Sequence, residues 1–315
     1  MSDNLNNMDF QKTLVDALLS ERRKDRRWHI IKAIIWLVVL AMIFLMCYLP
    51  GHSRKNDFDG KPYVSLVRLN GIIMPGTNFS AREVLPQLAR AFKDKNAKGV
   101  VLVINSPGGS PVQASIIHDD IEYLKHKYHK KVMVLGEDTL ASGAYLVATA
   151  ADLIYVNKDT VTGSIGVIMS GFGFTDAIQK LGITRRVFTA GENKDRLDAF
   201  FPVSDADKAK VTTVLNEVHQ DFIADVMAGR QGKLHGNPAE LFSGDFWTGS
   251  QAETLGIVDG TGNLWDLLGS QFGVEHYRDY SKHPSFFEAL FKGAETKLGL
   301  TLENNVSPLQ EELHY

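Results

Sequence analysis

Three hydrophobic patterns follow one another along this chain, and each predicts a different kind of element. The first is a nearly unbroken apolar run over 30–49, about twenty residues, the length a helix needs to cross hydrocarbon. Five basic residues precede it in Arg22-Arg-Lys24-Asp-Arg26-Arg27. Lys32 can snorkel to headgroups, and Trp28 and Tyr48 suit the two interfaces. Tyr48-Leu-Pro50 does not resemble a small-x-small cleavage signal. An uncleaved signal anchor is expected, with its basic flank in the cytoplasm and the chain beyond Pro50 outside it. Upstream, Phe10, Leu14, Val15, Leu18 and Leu19 form an amphipathic helical stripe.

The second pattern is short runs rich in β-branched residues, which predict buried strands at 99–105, 131–136 and 153–156. The alternating stretch 63–69 reads as a strand that meets a turn signal at Asn70-Gly71, with Ile72-Ile73 beyond it. Strands are also expected at 184–188 and 257–259. The third pattern is helical spacing. Val112, Ile116, Ile117, Ile121 and Leu124 define one helix. Val211, Val214, Leu215, Val218, Phe222 and Val226 define a longer one from an N-cap at Ser204 to about Met227. Ser80-Ala-Arg-Glu83 has capping-box spacing, but Pro86 moves the expected start of that helix toward Leu85. Further helices are expected at 143–151, 176–181, within 247–256 and at 286–299. A polar linker at 50–62 and a polar, mobile tail at 301–315 flank the folded part, 63–300. Strands alternating with helices predict an α/β fold with mostly parallel pairing. Right-handed crossovers fit a ββα superhelix as well as a doubly wound sheet.

Composition changes this picture little. The 315 residues are 44% apolar and 23% charged, with a formal net charge of −3, which gives no reason to expect a nucleic-acid partner. The one cysteine, Cys47, lies in the apolar run and excludes an intrachain disulfide or a cysteine-based metal site. Residues 1–29 are expected to be the cytoplasmic segment.

The candidate chemistry gathers between Gly99 and Gly166. The first strand hands over to a helix through Ser106-Pro107-Gly108-Gly109-Ser110, where backbone N–H groups of a helix N-terminus point outward. The second leads through Glu137-Asp138 to Thr139-Leu-Ala-Ser142-Gly143, again a serine at a helix start. A nucleophile at one strand–helix junction beside N–H donors at its neighbour is an acyl-transfer layout. A serine hydroxyl needs a base. His118 is followed by Asp119 and Asp120, but helix neighbours are not expected to face each other. His126 and His129 lie in a basic, solvated helix end and lack an acidic partner at ligand spacing. Lysine serves as a base where burial keeps it neutral, and Lys194 lies in a polar loop after a predicted strand. Gly171-Phe-Gly173 is only a fragment of a dinucleotide motif, and there is no phosphate-binding loop.

Asn105-Ser-Pro-Gly-Gly109, Ala141-Ser-Gly143 and Thr162-Gly-Ser-Ile-Gly-Val167 behind an N-terminal anchor resemble the short bacterial form of the signal peptide peptidase A family. Its relative SohB and the ClpP/crotonase superfamily share the resemblance, which covers about 63–259. It implies a ClpP/crotonase-like ββα superhelix behind the transmembrane helix, and a Ser-Lys dyad endopeptidase without cofactor or metal. By motif the nucleophile maps to Ser142, the base to Lys194, and the serine that orients the lysine to Ser164. Lys180 and Lys208 are the alternative bases. The oxyanion hole maps to Gly108 or Gly109 with Gly143. Signal peptides and other membrane-associated peptides are the implied substrates, and the bacterial inner membrane, with a periplasmic or extracytoplasmic catalytic domain, the implied location. A ring-like homo-oligomer is implied, in which one subunit's lysine serves its neighbour's serine. A crotonase-like acyl-CoA enzyme and a catalytically silent membrane scaffold are the competing readings.

Overall fold

The structure is a computed structural model that describes residues 26–44 and 60–282. These belong to two separate units. The first contributes helix α1 (Arg26–Phe44), which is long and apolar enough to cross a membrane, with its side chains exposed. Its described part begins four residues before the predicted span, and residues 45–49 lie outside the described residues. So do the expected stripe at 1–20, most of the linker, the expected helix at 286–299 and the tail.

The second unit is built on a sheet. Its elements run β1 (Tyr63–Asn70), α2 (Ala81–Lys93), β2 (Ala97–Ser106), α3 (Pro111–Tyr128), β3 (Lys131–Ala141) and α4 (Gly143–Thr149). There follow β4 (Leu153–Val156), β5 (Val161–Gly163), α5 (Thr175–Lys180), α6 (Asp205–Gly229) and α7 (Pro238–Leu241). Then come β6 (Phe246–Thr248), α8 (Gly249–Thr254), β7 (Gly260–Thr261), α9 (Leu264–Leu267) and β8 (His276–Asp279). The strand order is β6-β5-β3-β2-β1-β8, and every pairing is parallel except β5 with β6. Strand β3 forks. Its first half pairs with β4 over Met133–Gly136, and its second half pairs with β5 over Thr139–Ala141. The fork exists because β3 does not stop at Gly136 as the apolar run suggested. It continues through Glu137 and Asp138 across a register shift against β2, where Ile104 faces Gly136 but Ser106 faces Leu140. Such an irregularity bends a strand and re-aims the residues beyond it.

Side chains of β2 alternate between two cores, as a strand with both faces covered must. Val100, Leu102 and Ile104 pack toward α2, α3 and α4, whereas Val101 and Val103 pack toward Leu267 and Leu268. Helix α2 begins at Ala81, not near Leu85, and holds Pro86 inside it. The buried stripe Val84, Leu88, Ala91 and Phe92 outweighs the bond lost at proline. Ser80 does not cap this helix; its hydroxyl donates to Thr77 O, and Gln113 Oε1 accepts the Ala81 N–H.

Three other expectations change. Residues 184–188 form no strand, because no strand edge among the described residues lies beside them; Phe188 is 94% exposed, and Arg185 pairs instead with Asp198. Ile257 and Val258 are buried but unpaired in the sheet, and the short strand comes just after them as β7. Strand β8, which the pattern did not indicate, adds to β1 in parallel. Ser204 does cap α6, in a reciprocal box with Asp207, but only Phe222 and Val226 of its apolar face are buried.

One buried charge ties the end of α6 to the sheet. Arg230 is fully buried, donates to Gly256 O and pairs with Asp259 at 2.6 Å. Burial pushes the Asp259 carboxyl up, but hydrogen bonds from Arg230 and Lys233 outweigh it and hold the group below its ordinary value. Arg230→Met should cost about 3 kcal/mol, because it removes the buried partner of a carboxylate that then keeps only Lys233 and the Ile154 N–H. Urea denaturation at neutral pH measures that loss. A carboxyl held low stabilises the fold above its unfolded value of about 3.9 and loses this as pH falls through the lower folded value. The variant's deficit should therefore shrink in acid.

Candidate active site

The site forms where the C-terminal ends of β2, β3 and β5 come together. Ser142 follows β3 directly and caps α4 with φ 54° and ψ −127°. A serine rarely adopts this backbone, and the strain thrusts its side chain out of a sharp strand-to-helix turn. The turn is held from both sides: Ser142 N–H donates to Gly163 O at 2.8 Å, and Leu146 N–H donates to Ser142 O at 3.0 Å. Because β5 delivers Gly163 there, the next residue, Ser164, arrives beside the same turn. It too has positive φ, 52°, and its N–H donates to Asp245 O at 2.7 Å.

The turn after β2 lies against Ser142. Gly108 has φ 97°, and a Cβ there would stand 2.7 Å from Gly143 N and 2.8 Å from the Ser142 Cβ. Only glycine permits so close an approach. The Gly108 N–H is engaged by the buried Ser106 Oγ at 3.1 Å. The neighbouring donors are not: neither Gly109 N–H nor Gly143 N–H has an acceptor among the described residues. A Cβ on Gly143 would lie 3.5 Å from Gly109 N, so the two free N–H groups lie close together at the α4 N-terminus. Ile73 braces the turn by donating to Gly108 O and accepting from Ser110 N–H. Two unspent N–H donors beside a strained serine can hold a negatively charged oxygen while the hydroxyl attacks the carbon bearing it.

A cleft of about 390 Å³ opens from Ser142, Gly143 and Gly109. Its walls are Val112 and Ile116 of α3, Leu146 of α4, Val167 and Ile168 after β5, and Phe222 of α6. Asp221 and Asp225 also line it. His219 reaches the carbonyl of Ile165 at 3.0 Å and so joins α6 to the segment carrying Ser164.

Lys194 is not among the residues around this cleft. It lies exposed in a turn closed by its own N–H on Gly191 O at 3.1 Å, within the long excursion between α5 and α6. Lys180 is exposed on α5, and Lys208 pairs with Asp205 at 3.1 Å, so neither faces Ser142. His118 does contact its helix neighbour Asp119, at 3.1 Å, contrary to the expectation from helical geometry, but it does not line the cleft. Among the described residues one chain thus brings together Ser142, Ser164, Gly108, Gly109 and Gly143, while none of Lys194, Lys180, Lys208 and His118 lines their cleft. Among the described residues no group of histidines, cysteines and carboxylates is arranged to hold a metal.

Three supporting residues escaped the pattern reading. Ser106 lay inside a recognised motif, yet only the fold shows that its hydroxyl holds the turn. Ile73 and Asp245 are distant in sequence, and no local signal marks them.

Comparison with known proteins gives this geometry a family context. The sequence profile described as Peptidase family S49 matches residues 125–270, and that described as Clp protease matches residues 62–158. A relative named "Putative protease MJ0651", from Methanocaldococcus jannaschii, is 30% identical over 256 residues, 77% of this chain and 81% of its own length. "Putative signal peptide peptidase SppA" of Enterococcus faecium is 31% identical over 222 residues, 67% of this chain and 64% of that protein. A protein named Na(+)/H(+) antiporter NhaA, from Brucella melitensis, is 42% identical over 215 residues. That match takes in 67% of this chain but only 29% of the antiporter's length.

Proposed function

Since this chain belongs to peptidase family S49 and has the ClpP/crotonase-like fold, we propose that it is a membrane-anchored serine endopeptidase acting on signal peptides and other membrane-associated peptides. One observation carries the reading: Ser142 is held in a strained turn against two unengaged backbone donors, Gly109 N–H and Gly143 N–H. Ser142 Oγ attacks the scissile carbonyl carbon and passes its proton to a neutral lysine. The carbonyl oxygen becomes an oxyanion held by the two N–H groups. The lysine then protonates the leaving amine, and water hydrolyses the acyl-enzyme by the same route in reverse. Gly108 has a spatial task, since its own N–H is spent on Ser106. A peptide aldehyde or fluorophosphonate should label Ser142; absence of label on folded protein would count against the proposal.

Lys194 is the proposed base, and it comes from a neighbouring copy. The stretch from β5 to α6 that carries it exposes large apolar side chains on both sides of α5: Ile168 is 86% exposed, Phe172 83%, Leu181 72% and Phe188 94%. Apolar surface of this extent marks an interface. A homo-oligomer that covers it brings one subunit's Lys194 to the next subunit's Ser142, where Ser164 orients the amine.

Two further outcomes are expected. Gly108→Ala should abolish most turnover, because the added methyl displaces the α4 N-terminus by its contact with Gly143 N. Peptide turnover, read beside the thermal midpoint, separates this from general unfolding. Helix α1 is the proposed anchor, with the catalytic domain outside the cytoplasm. Protease added to spheroplasts should digest that domain, and complete protection would reverse the orientation.

A further inference from the structure

The cleft beside Ser142 is apolar along its walls yet acidic at α6, and the family resemblance does not account for this combination. Asp221 and Asp225 stand four residues apart on α6, so they share one face of that helix. Both line the cleft, and among the described residues no basic side chain does. Neither carboxylate has a hydrogen-bond partner among the described residues. Burial pushes the Asp225 carboxyl above its ordinary value; nearby His118 opposes this, while Asp119 and Asp221 add to it. An arriving cation would relieve that mutual repulsion.

We propose that this cleft receives the side chain of the residue whose carbonyl Ser142 attacks, and selects there a long aliphatic stem ending in a positive charge, lysine above all. The placement is dictated by the reaction. The carbonyl carbon must meet Ser142 Oγ with its oxygen at Gly109 and Gly143, and the adjoining side chain then enters the space opening from those residues. Val112, Ile116, Leu146 and Phe222 cover the methylenes, and the ammonium ends at Asp221 and Asp225. Peptides clipped beside basic residues, such as the charged flank of an apolar membrane segment, are the substrate class this favours. The inference rests on the peptidase reading of Ser142.

The test compares three peptides that differ only at the residue before the scissile bond: lysine, norleucine and glutamate. Norleucine keeps the stem and lacks the charge. The full-length protein in detergent should give kcat/KM about three- to tenfold higher for lysine than for norleucine, the scale of one or two partly solvated charge pairs. Glutamate should be worst. The preference should fall as salt is added. In the Asp221→Asn, Asp225→Asn double variant the lysine-to-norleucine ratio should drop to about one, and Asp225→Lys should reverse the order in favour of glutamate. These ratios compare substrates on one enzyme, so a general loss of folded protein does not move them. A ratio of one in the wild type, or an unaltered ratio in the double variant, overturns the subsite while leaving the peptidase reading intact. Cleavage of all three peptides by Ser142→Ala protein would overturn the peptidase reading instead.

Discussion

Ser142→Ala should lower peptide hydrolysis by at least about 10³-fold, because removing the proposed nucleophile of a coupled site leaves only the contribution of binding and the proposed oxyanion donors. The loss should fall on kcat, with little change in KM, since the hydroxyl contributes to the transition state far more than to peptide binding. The fold should tolerate the change: the Ser142 main chain makes the bonds to Gly163 and from Leu146, and the substitution retains both. Positive φ is retained at a cost that serine already bears. Initial rates with a signal-peptide substrate, together with a thermal melt, measure both halves. Turnover close to wild type from folded Ser142→Ala protein would assign the nucleophile elsewhere.

Lys194→Ala should be equally inactive, and Lys194→Arg no better, because a guanidinium stays protonated and cannot accept the serine proton. The structure adds a sharper test. Lys194 does not line the Ser142 cleft of its own chain. Ser142→Ala and Lys194→Ala proteins, each inactive alone, should therefore regain activity when dissociated and reassembled together. A mixed assembly then contains junctions where an intact serine meets an intact lysine. A base within the same chain predicts no recovery, since every chain in the mixture lacks one of the two groups. Substantial activity in Lys194→Arg alone would pass the role to another base.

The elements most legible in the sequence were those whose local pattern and final environment agree. Residues 99–105 are apolar on both faces, and β2 is buried on both. Ser204 and Asp207 form a capping box that depends on backbone three residues away and on little else. Ser142, Gly143 and the Gly108-Gly109 turn were recognisable because strained backbone at a strand–helix junction demands particular residue types. The long apolar run is likewise local, and α1 occupies most of it.

Other features depend on what lies alongside, which no window of sequence contains. The stretch at 184–188 has a strand's composition, but a strand exists only where a neighbouring backbone completes its hydrogen bonds, and the described residues supply none there. In the opposite sense β8 carries a mixed polar sequence and is still a strand, because β1 presents it an open edge. Pro86 argued for a later start to α2 than the one that buried packing enforced. Residue order alone thus specified the residue types of the site and the succession of the main strands and helices, since both arise from short-range sterics and periodicity. Three-dimensional packing was needed to show which donors remain unspent, that two aspartates of α6 join the cleft, and that Lys194 stands away from Ser142. Those are properties of segments far apart in the chain, and packing alone sets the distances between them.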